Sequence, residues 1–139
     1  MRENYRTLIQ ASRNAKRRAH APYSGFHVGA ALLTSDGVVF TGCNVENSSY
    51  GLTICAERTA IFKAISEGKK KFKAIAITSD GTDVTPPCGA CRQVLWDLAG
   101  NIDVVLDSHS GIPLQMKLES LLPIPFSEKR LKAARKRKS

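Results

Sequence analysis

Tyr5, Leu8, Ile9, Ser12, Ala15 and Ala19 recur near a 3.6-residue period with basic residues between them, which predicts an amphipathic helix over residues 4–19. Pro22 stops it. The pattern then changes to apolar, β-rich runs at 27–34 and 38–43, joined by Asp36-Gly37, a two-residue hairpin signal. An Asn/Ser-rich loop, 44–54, is too long and too odd in composition to be a plain connector. Helical spacing resumes over 55–66 through Ala56, Ala60, Ile61, Ala64 and Ile65, with Gly68 placed to end it. A buried-type strand, Phe72 to Thr78, follows, then a loop ending in Pro86-Pro87 and a helix over 89–99 carrying Val94, Leu95 and Leu98. Strands are expected at Ile102 to Leu106 and Ile112 to Met116, a helical turn at Leu118 to Leu122, and a basic helix from Ser127 onward.

The order α-β-β-α-β-α-β-β-α contains a β-α-β-α-β segment, which implies parallel strands linked by crossovers and helices covering the sheet. The fold class is therefore α/β: a three-layer α/β/α sandwich with a mixed five-stranded sheet. The link Asp107-Ser108-His109-Ser110-Gly111 is too short for a parallel crossover, so the last two strands should be antiparallel neighbours.

A chain of 139 residues is one ordinary domain with a single core. No apolar run approaches the roughly eighteen residues of a membrane span, and Met1-Arg2-Glu3-Asn4 does not open a signal peptide. The cytoplasm is the expected compartment. Four cysteines there read as metal ligands, catalysts or buried thiols rather than as a disulfide framework. The net charge of +9 is uneven, because residues 128–139 hold seven basic side chains against Glu128 alone. Lys16, Arg17 and Arg18 form a second cluster, and Lys69, Lys70, Lys71 and Lys73 a third. The tail has no interleaved aromatics to stack on bases, so it reads as a solubilising extension, and nucleic acid is not the expected partner. The division is a domain at 1–127 and a basic tail at 128–139.

Cys55-Ala56-Glu57 and Pro87-Cys88-Gly89-Ala90-Cys91 carry the chemistry. Zinc prefers thiolate and imidazole in a tetrahedron, and its catalytic sites keep three protein ligands and one open position. Cys88 and Cys91 can meet one metal from the first turn of a helix, and Cys55 stands at the start of another helix. Positive dipole ends at both helix starts favour thiolate. Glu57, two residues from the first thiol, can reach whatever fills the open position. Cys43, at a strand end, is the one further thiol; it reads as an inert buried cysteine, although as a fourth ligand it would close the site. His20, His27 and His109 have no partner at metal spacing and read as surface or locally bonded side chains. Three thiolates leave a divalent zinc complex at about −1, which makes a bound water harder to ionise. Arg58 and Arg92, each next to a motif residue, are candidates to balance that charge.

Together with Tyr23-Ser24-Gly25-Phe26-His27-Val28-Gly29-Ala30-Ala31, Gly42-Cys43-Asn44-Val45-Glu46-Asn47 and Tyr50-Gly51-Leu52-Thr53-Ile54, these motifs resemble the cytidine deaminases of the small homotetrameric, three-cysteine zinc type. The resemblance covers roughly residues 5 to 126. It implies one zinc per subunit and hydrolysis of cytidine and deoxycytidine to uridine and deoxyuridine in pyrimidine salvage. A zinc-bound hydroxide would attack C4 and Glu57 would shuttle protons. It further implies that Asn44 and Glu46 hold the ribose 3′-hydroxyl with Val45 between them, that Phe26 packs on the base, and that the Ala56 main chain lies near the base edge. Tyr50 and Phe126 would complete a neighbouring subunit's site, making the active form a homotetramer with shared sites. From the residues alone, Phe26 reads as core and Asn47-Ser48-Ser49 as a plain loop.

Deamination of cytosine or adenine within RNA or DNA is the nearest alternative, given the basic tail. Such relatives typically begin the metal set with histidine, insert a helix between the last two strands and lack the Asn44-Glu46 pair. A blasticidin-type deaminase would differ around Asn44 to Asn47. A zinc-stabilised interaction module would need a fourth ligand and gives Glu57 no role.

Overall fold

The computed structural model describes residues 5–138 of the chain, with side chains to 136. Residue 4, where the periodic pattern begins the first helix, lies outside the described residues, as do the first residues of the expected domain and the last residue of the tail. Helix α1 is Arg6–Lys16, strand β1 Val28–Thr34, β2 Val39–Cys43, helix α2 Ala56–Ser66, β3 Phe72–Ser79, α3 Gly89–Ala99, β4 Asp103–Leu106, β5 Leu114–Lys117 and α4 Glu128–Lys138. Single 3-10 turns lie at Tyr50–Leu52 and Leu118–Ser120.

The five strands form one sheet in the order β2-β1-β3-β4-β5. β1 is antiparallel to both β2 and β3, β3 is parallel to β4, and β4 is antiparallel to β5. β2 and β3 thus run the same way, as the β-α-β pattern implies, but β1 lies between them. The parallel neighbours are β3 and β4, linked through α3. The last two strands are antiparallel as expected, in register from Asp103↔Lys117 to Leu106↔Leu114. Their link lengthens to residues 107–113, still with no helix in it.

Alternation along the central strands separates two differently shaped faces. Ala31, Ala74, Ala76 and Val105 form a shallow face on which Leu8 and Ile9 of α1 and its N-cap Tyr5 lie. Leu32, Ile75, Ile77, Val104 and Leu106 form the deeper face and pack with Ala56, Ala60, Ile61 and Ala64 of α2 and Leu95 of α3. Small side chains let helix and strand backbones close up. A Cβ on Gly29 would lie 2.1 Å from Ser12 O in α1, and one on Gly42 would lie 2.5 Å from Ala56 O in α2. Both outer layers are thereby held at backbone contact with the sheet.

Three boundaries depart from the periodic reading. α1 ends at Lys16 because Arg17, Arg18 and Ala19 turn more tightly, each bonding three residues back. His20 then bridges to Val45, donating to Asn44 O at 2.9 Å and accepting from Glu46 N at 2.8 Å. The β1–β2 turn takes three residues rather than two: Thr34 N bonds Val38 O, Gly37 N bonds Thr34 O, and Gly37 adopts φ 90°. β5 begins at Leu114, one residue past Pro113, rather than at Ile112.

Candidate active site

Both helices of the deeper face start at a cysteine. Cys55 is the N-cap of α2 and Cys88 the N-cap of α3, each with extended backbone. Cys91 lies in the first turn of α3, and its N–H donates to Cys88 Sγ at 3.4 Å. All three sulfurs fall within 4.8 Å of one another. Cys55 and Cys88 are 3.8 Å apart, the separation that bonds of about 2.3 Å to one tetrahedral zinc produce. Cys88 and Cys91 are 3.2 Å apart. Among the described residues these three thiols are the metal-capable cluster, and Cys43, a free thiol on the edge strand β2, is not part of it. A zinc held by these three thiols would keep its fourth position for a water or substrate atom.

The electrostatics fit a cation between these sulfurs. A hydrogen bond with Cys91, opposed by burial and reinforced by Arg58, pushes the Cys55 thiol down to about 5. The same contact, with burial, pushes Cys91 up. Three thiols this close cannot all ionise without a positive charge among them. Arg58 supplies part of that charge, its Nη2 donating to Cys55 Sγ at 3.4 Å. Arg92 does not share the task, because its Nε donates to Pro87 O at 2.7 Å and its Nη1 to Leu121 O at 3.0 Å. It instead ties the proline loop before Cys88 to the chain after β5.

Glu57 lies one residue inside α2 and is only 5% exposed. Burial, opposed by backbone hydrogen bonding and helped by the nearby Cys55 charge, raises its carboxyl to about 7. It lines a cavity of about 210 Å³ whose wall includes Cys55, Cys88, Ala56, Asn44 and Ile77. A carboxyl poised near neutrality can both take and return a proton.

A second cavity of about 360 Å³ is lined by Tyr23, Ser24, Glu46, Tyr50 and Thr53, and Thr53 belongs to both walls. Glu46 Oε1 accepts from the N–H groups of Tyr23 and Ser24, both at 3.0 Å, and Oε2 accepts from Ser24 Oγ. These bonds hold the Glu46 carboxyl below its ordinary range, the Ser24 hydroxyl contributing most. Asn44 is buried; its Oδ1 accepts from Val28 N at 2.9 Å and its Nδ2 donates to Phe26 O at 2.8 Å.

Phe26 is 40% exposed, so the core reading of it from residues alone fails; the β1 entry turns its ring outward. Val45, Tyr50 and Phe126 are also exposed, at 43%, 75% and 61%. Tyr50 stands edge-on to Tyr23, ring centroids 6.0 Å apart. Phe126 O accepts from Gln93 Nε2 at 2.7 Å. Thr85 and Pro86 line the metal-side cavity although the sequence assigns them no site role, and Val28 and Thr53, which fall within the sequence motifs without a role, line it too. Thr53 and Pro86 each sit two residues from a cysteine ligand, a signal that sequence proximity does carry.

A mixed five-stranded α/β sandwich with three thiols at two helix starts and a buried carboxyl beside their open position defines a zinc hydrolase. Comparison with known proteins gives the family. The model of the cytidine and deoxycytidylate deaminase zinc-binding region matches residues 2–106. A cytidine deaminase of Sporosarcina psychrophila is 47% identical over 91% of this chain and 94% of its own length. A probable cytidine deaminase of Dictyostelium discoideum is 51% identical over 93% of this chain and 88% of its own. The crystal structure of cytidine deaminase from Burkholderia pseudomallei superposes with TM-score 0.85 at 47% identity, covering 89% of this chain and all of that one. The chain belongs to the cytidine and deoxycytidylate deaminase family.

Proposed function

We propose that this protein hydrolyses free cytidine and deoxycytidine to uridine and deoxyuridine, one water entering at C4 and one ammonia leaving. The observation that carries the reading is Glu57, a buried carboxyl in one cavity wall with Cys55 and Cys88. One zinc held by Cys55, Cys88 and Cys91 supplies, when bound, a water acidic enough to act as a nucleophile near neutral pH. Glu57 would take the two protons of the attacking water in turn, passing the first to ring N3 and the second to the departing amine. Arg58 offsets the charge of the third thiolate.

Asn44 and Glu46 hold the sugar 3′-hydroxyl, Val45 lines the site between them, Phe26 packs on the base and the Ala56 main chain faces the base edge. Asn44 lines the metal-side cavity and Glu46 the polar one, and the two cavities share Thr53, which supports a sugar held at their junction. Tyr50 and Phe126 complete the site of a neighbouring copy, so the active form is a homotetramer with shared sites. Their exposure, with that of Ile124 and Leu52, supports the reading, since large apolar side chains this open in a lone chain gain most from a covering copy. The catalytic unit is residues 1–127, with 128–139 a basic tail, and the compartment is the cytoplasm, where the activity serves pyrimidine salvage. Among the described residues no helix is long and apolar enough to cross a membrane.

A steady-state assay of cytidine, deoxycytidine and a short cytosine-containing RNA, with zinc measured on the same sample, tests the proposal. Turnover of both nucleosides, near-stoichiometric zinc and no reaction on the RNA are expected. Efficient reaction on the RNA alone would overturn it.

A further inference from the structure

Ser24 is the hub of the polar cavity. Its hydroxyl donates to Glu46 Oε2, its N–H donates to Glu46 Oε1 at 3.0 Å, and its Oγ accepts from Phe26 N at 3.0 Å. An ionised carboxylate is acceptor-only, and a hydroxyl has a single proton. The Phe26 N–H on the oxygen leaves that proton directed at Glu46, so the polarity of the chain Phe26 N–H to Ser24 O–H to Glu46 is fixed. Gly25 between them has a φ of 67°, a conformation that L side chains rarely adopt, and the chain turns there so that Phe26 N–H meets Ser24 Oγ. Glu46 itself sits in an irregular segment, its N–H donating to His20 O at 2.8 Å and its neighbour Val45 bridged to His20 and Ile54. Without the Ser24 hydroxyl its carboxylate keeps only the Tyr23 and Ser24 N–H contacts on one oxygen and can rotate about them.

We propose that Ser24 is a positioning residue for sugar recognition, locking the Glu46 carboxylate so that it reads the 3′-hydroxyl of the substrate. The proposal rests on the cytidine deaminase reading, and on Glu46 as a sugar contact within it. Both Glu46 oxygens are then oriented before substrate arrives: one is occupied by two N–H donors, the other by one hydroxyl with acceptor capacity remaining. A hydroxyl of the substrate meets a fixed acceptor, and binding need not immobilise the side chain. The same hydroxyl joins this acceptor to the backbone of Phe26.

The test compares wild type, Ser24→Ala and Ser24→Thr on cytidine and 3′-deoxycytidine, with melting temperature and zinc content measured for each. Wild type should prefer cytidine. Ser24→Ala should lose about tenfold in kcat/KM on cytidine, mostly through KM, as expected for one hydrogen bond to a charged group. Its kcat/KM on 3′-deoxycytidine should change less than about twofold, collapsing the preference between the two nucleosides. Ser24→Thr, which keeps the hydroxyl at an exposed position, should retain the preference. Equal loss on both nucleosides, or no loss on either, overturns the proposal. If wild type does not distinguish the two nucleosides, the sugar role of Glu46 fails; if wild type deaminates neither, the functional reading fails.

Discussion

Arg58 Nη2 lies 3.4 Å from Cys55 Sγ, while Arg92, the other arginine beside a cysteine motif, is committed to the carbonyls of Pro87 and Leu121. The two arginines therefore do different work, one electrostatic at the sulfur and one structural at the loop. Arg58→Gln should keep the fold and lower kcat roughly ten- to a hundredfold, the range for losing a hydrogen bond to a charged group. It should also release zinc at a higher pH than the parent when titrated with acid, because protons compete better for an unassisted thiolate. A chromophoric chelator followed against pH measures the shift. Arg92→Gln should spare the pH of release and lower the melting temperature instead.

Glu57→Gln removes the proton carrier without changing the size of the side chain. Zinc content should stay near that of the parent, and kcat on cytidine should fall by at least about a hundredfold, the usual contribution of general acid–base catalysis. Metal analysis and turnover on one preparation check both halves. Full activity in this variant would remove the proton-carrier role.

Gly42→Ala should destabilise the protein by about 1–3 kcal/mol, the cost of overpacking a tight interface. A Cβ there would lie 2.5 Å from Ala56 O and 2.6 Å from Ala60 N, both backbone atoms of α2 that cannot swing aside. Because α2 also carries Cys55, zinc retention should weaken together with stability. Gly51→Ala, with nothing within 4 Å of its Cβ, is the control expected to leave the urea midpoint nearly unchanged.

Asp80 sets an acid sensitivity. His27 N–H, then the His27 ring and Lys16, outweigh the cost of its burial and hold its carboxyl down to about 2. An unfolded aspartate titrates near 3.9, so the folded state binds the proton less readily than the unfolded one. The stabilisation is complete above about pH 4 and is lost as pH falls from there toward about 2. Asp80→Asn should be less stable than the parent at neutral pH, and its urea midpoint should vary less over that window. Metal-stripped samples of both proteins isolate the effect from zinc release.

Removal of residues 128–139 should leave cytidine turnover within about twofold, since exposed surface away from a core contributes little to stability. Helix α4 is exposed along its described side chains, and the ion pair of Lys132 with Glu128 lies within it. A large loss of activity or a change in oligomeric mass would give the tail a structural role.

Much of this architecture is readable from local pattern. The helices over 55–66 and 89–99 emerge within a residue of their observed bounds, because Ala60, Ile61, Ala64 and Leu95 repeat at helical period and Gly68 and Gly100 end the runs with positive φ. The antiparallel final pair is readable too, since a link of this length permits no crossover. The three cysteines and Glu57 stand out because ligand type and spacing within a helical turn are local properties. Strand neighbours are not: β1 enters between β2 and β3 because its two faces, Gly29 and Ala31 against α1 and Ala30 and Leu32 against α2, suit burial on both sides.

The sequence by itself determined which residues could bind metal, which could carry a proton, and where the two cysteine-capped helices would run. Tertiary structure alone decided that Arg58 rather than Arg92 meets the sulfur, that Phe26 turns outward, and that Ser24 grips Glu46 from 22 positions away. The reason is distance along the chain. Propensity and spacing act within a turn or two, whereas these contacts depend on how two faces of one sheet bring separate loops together.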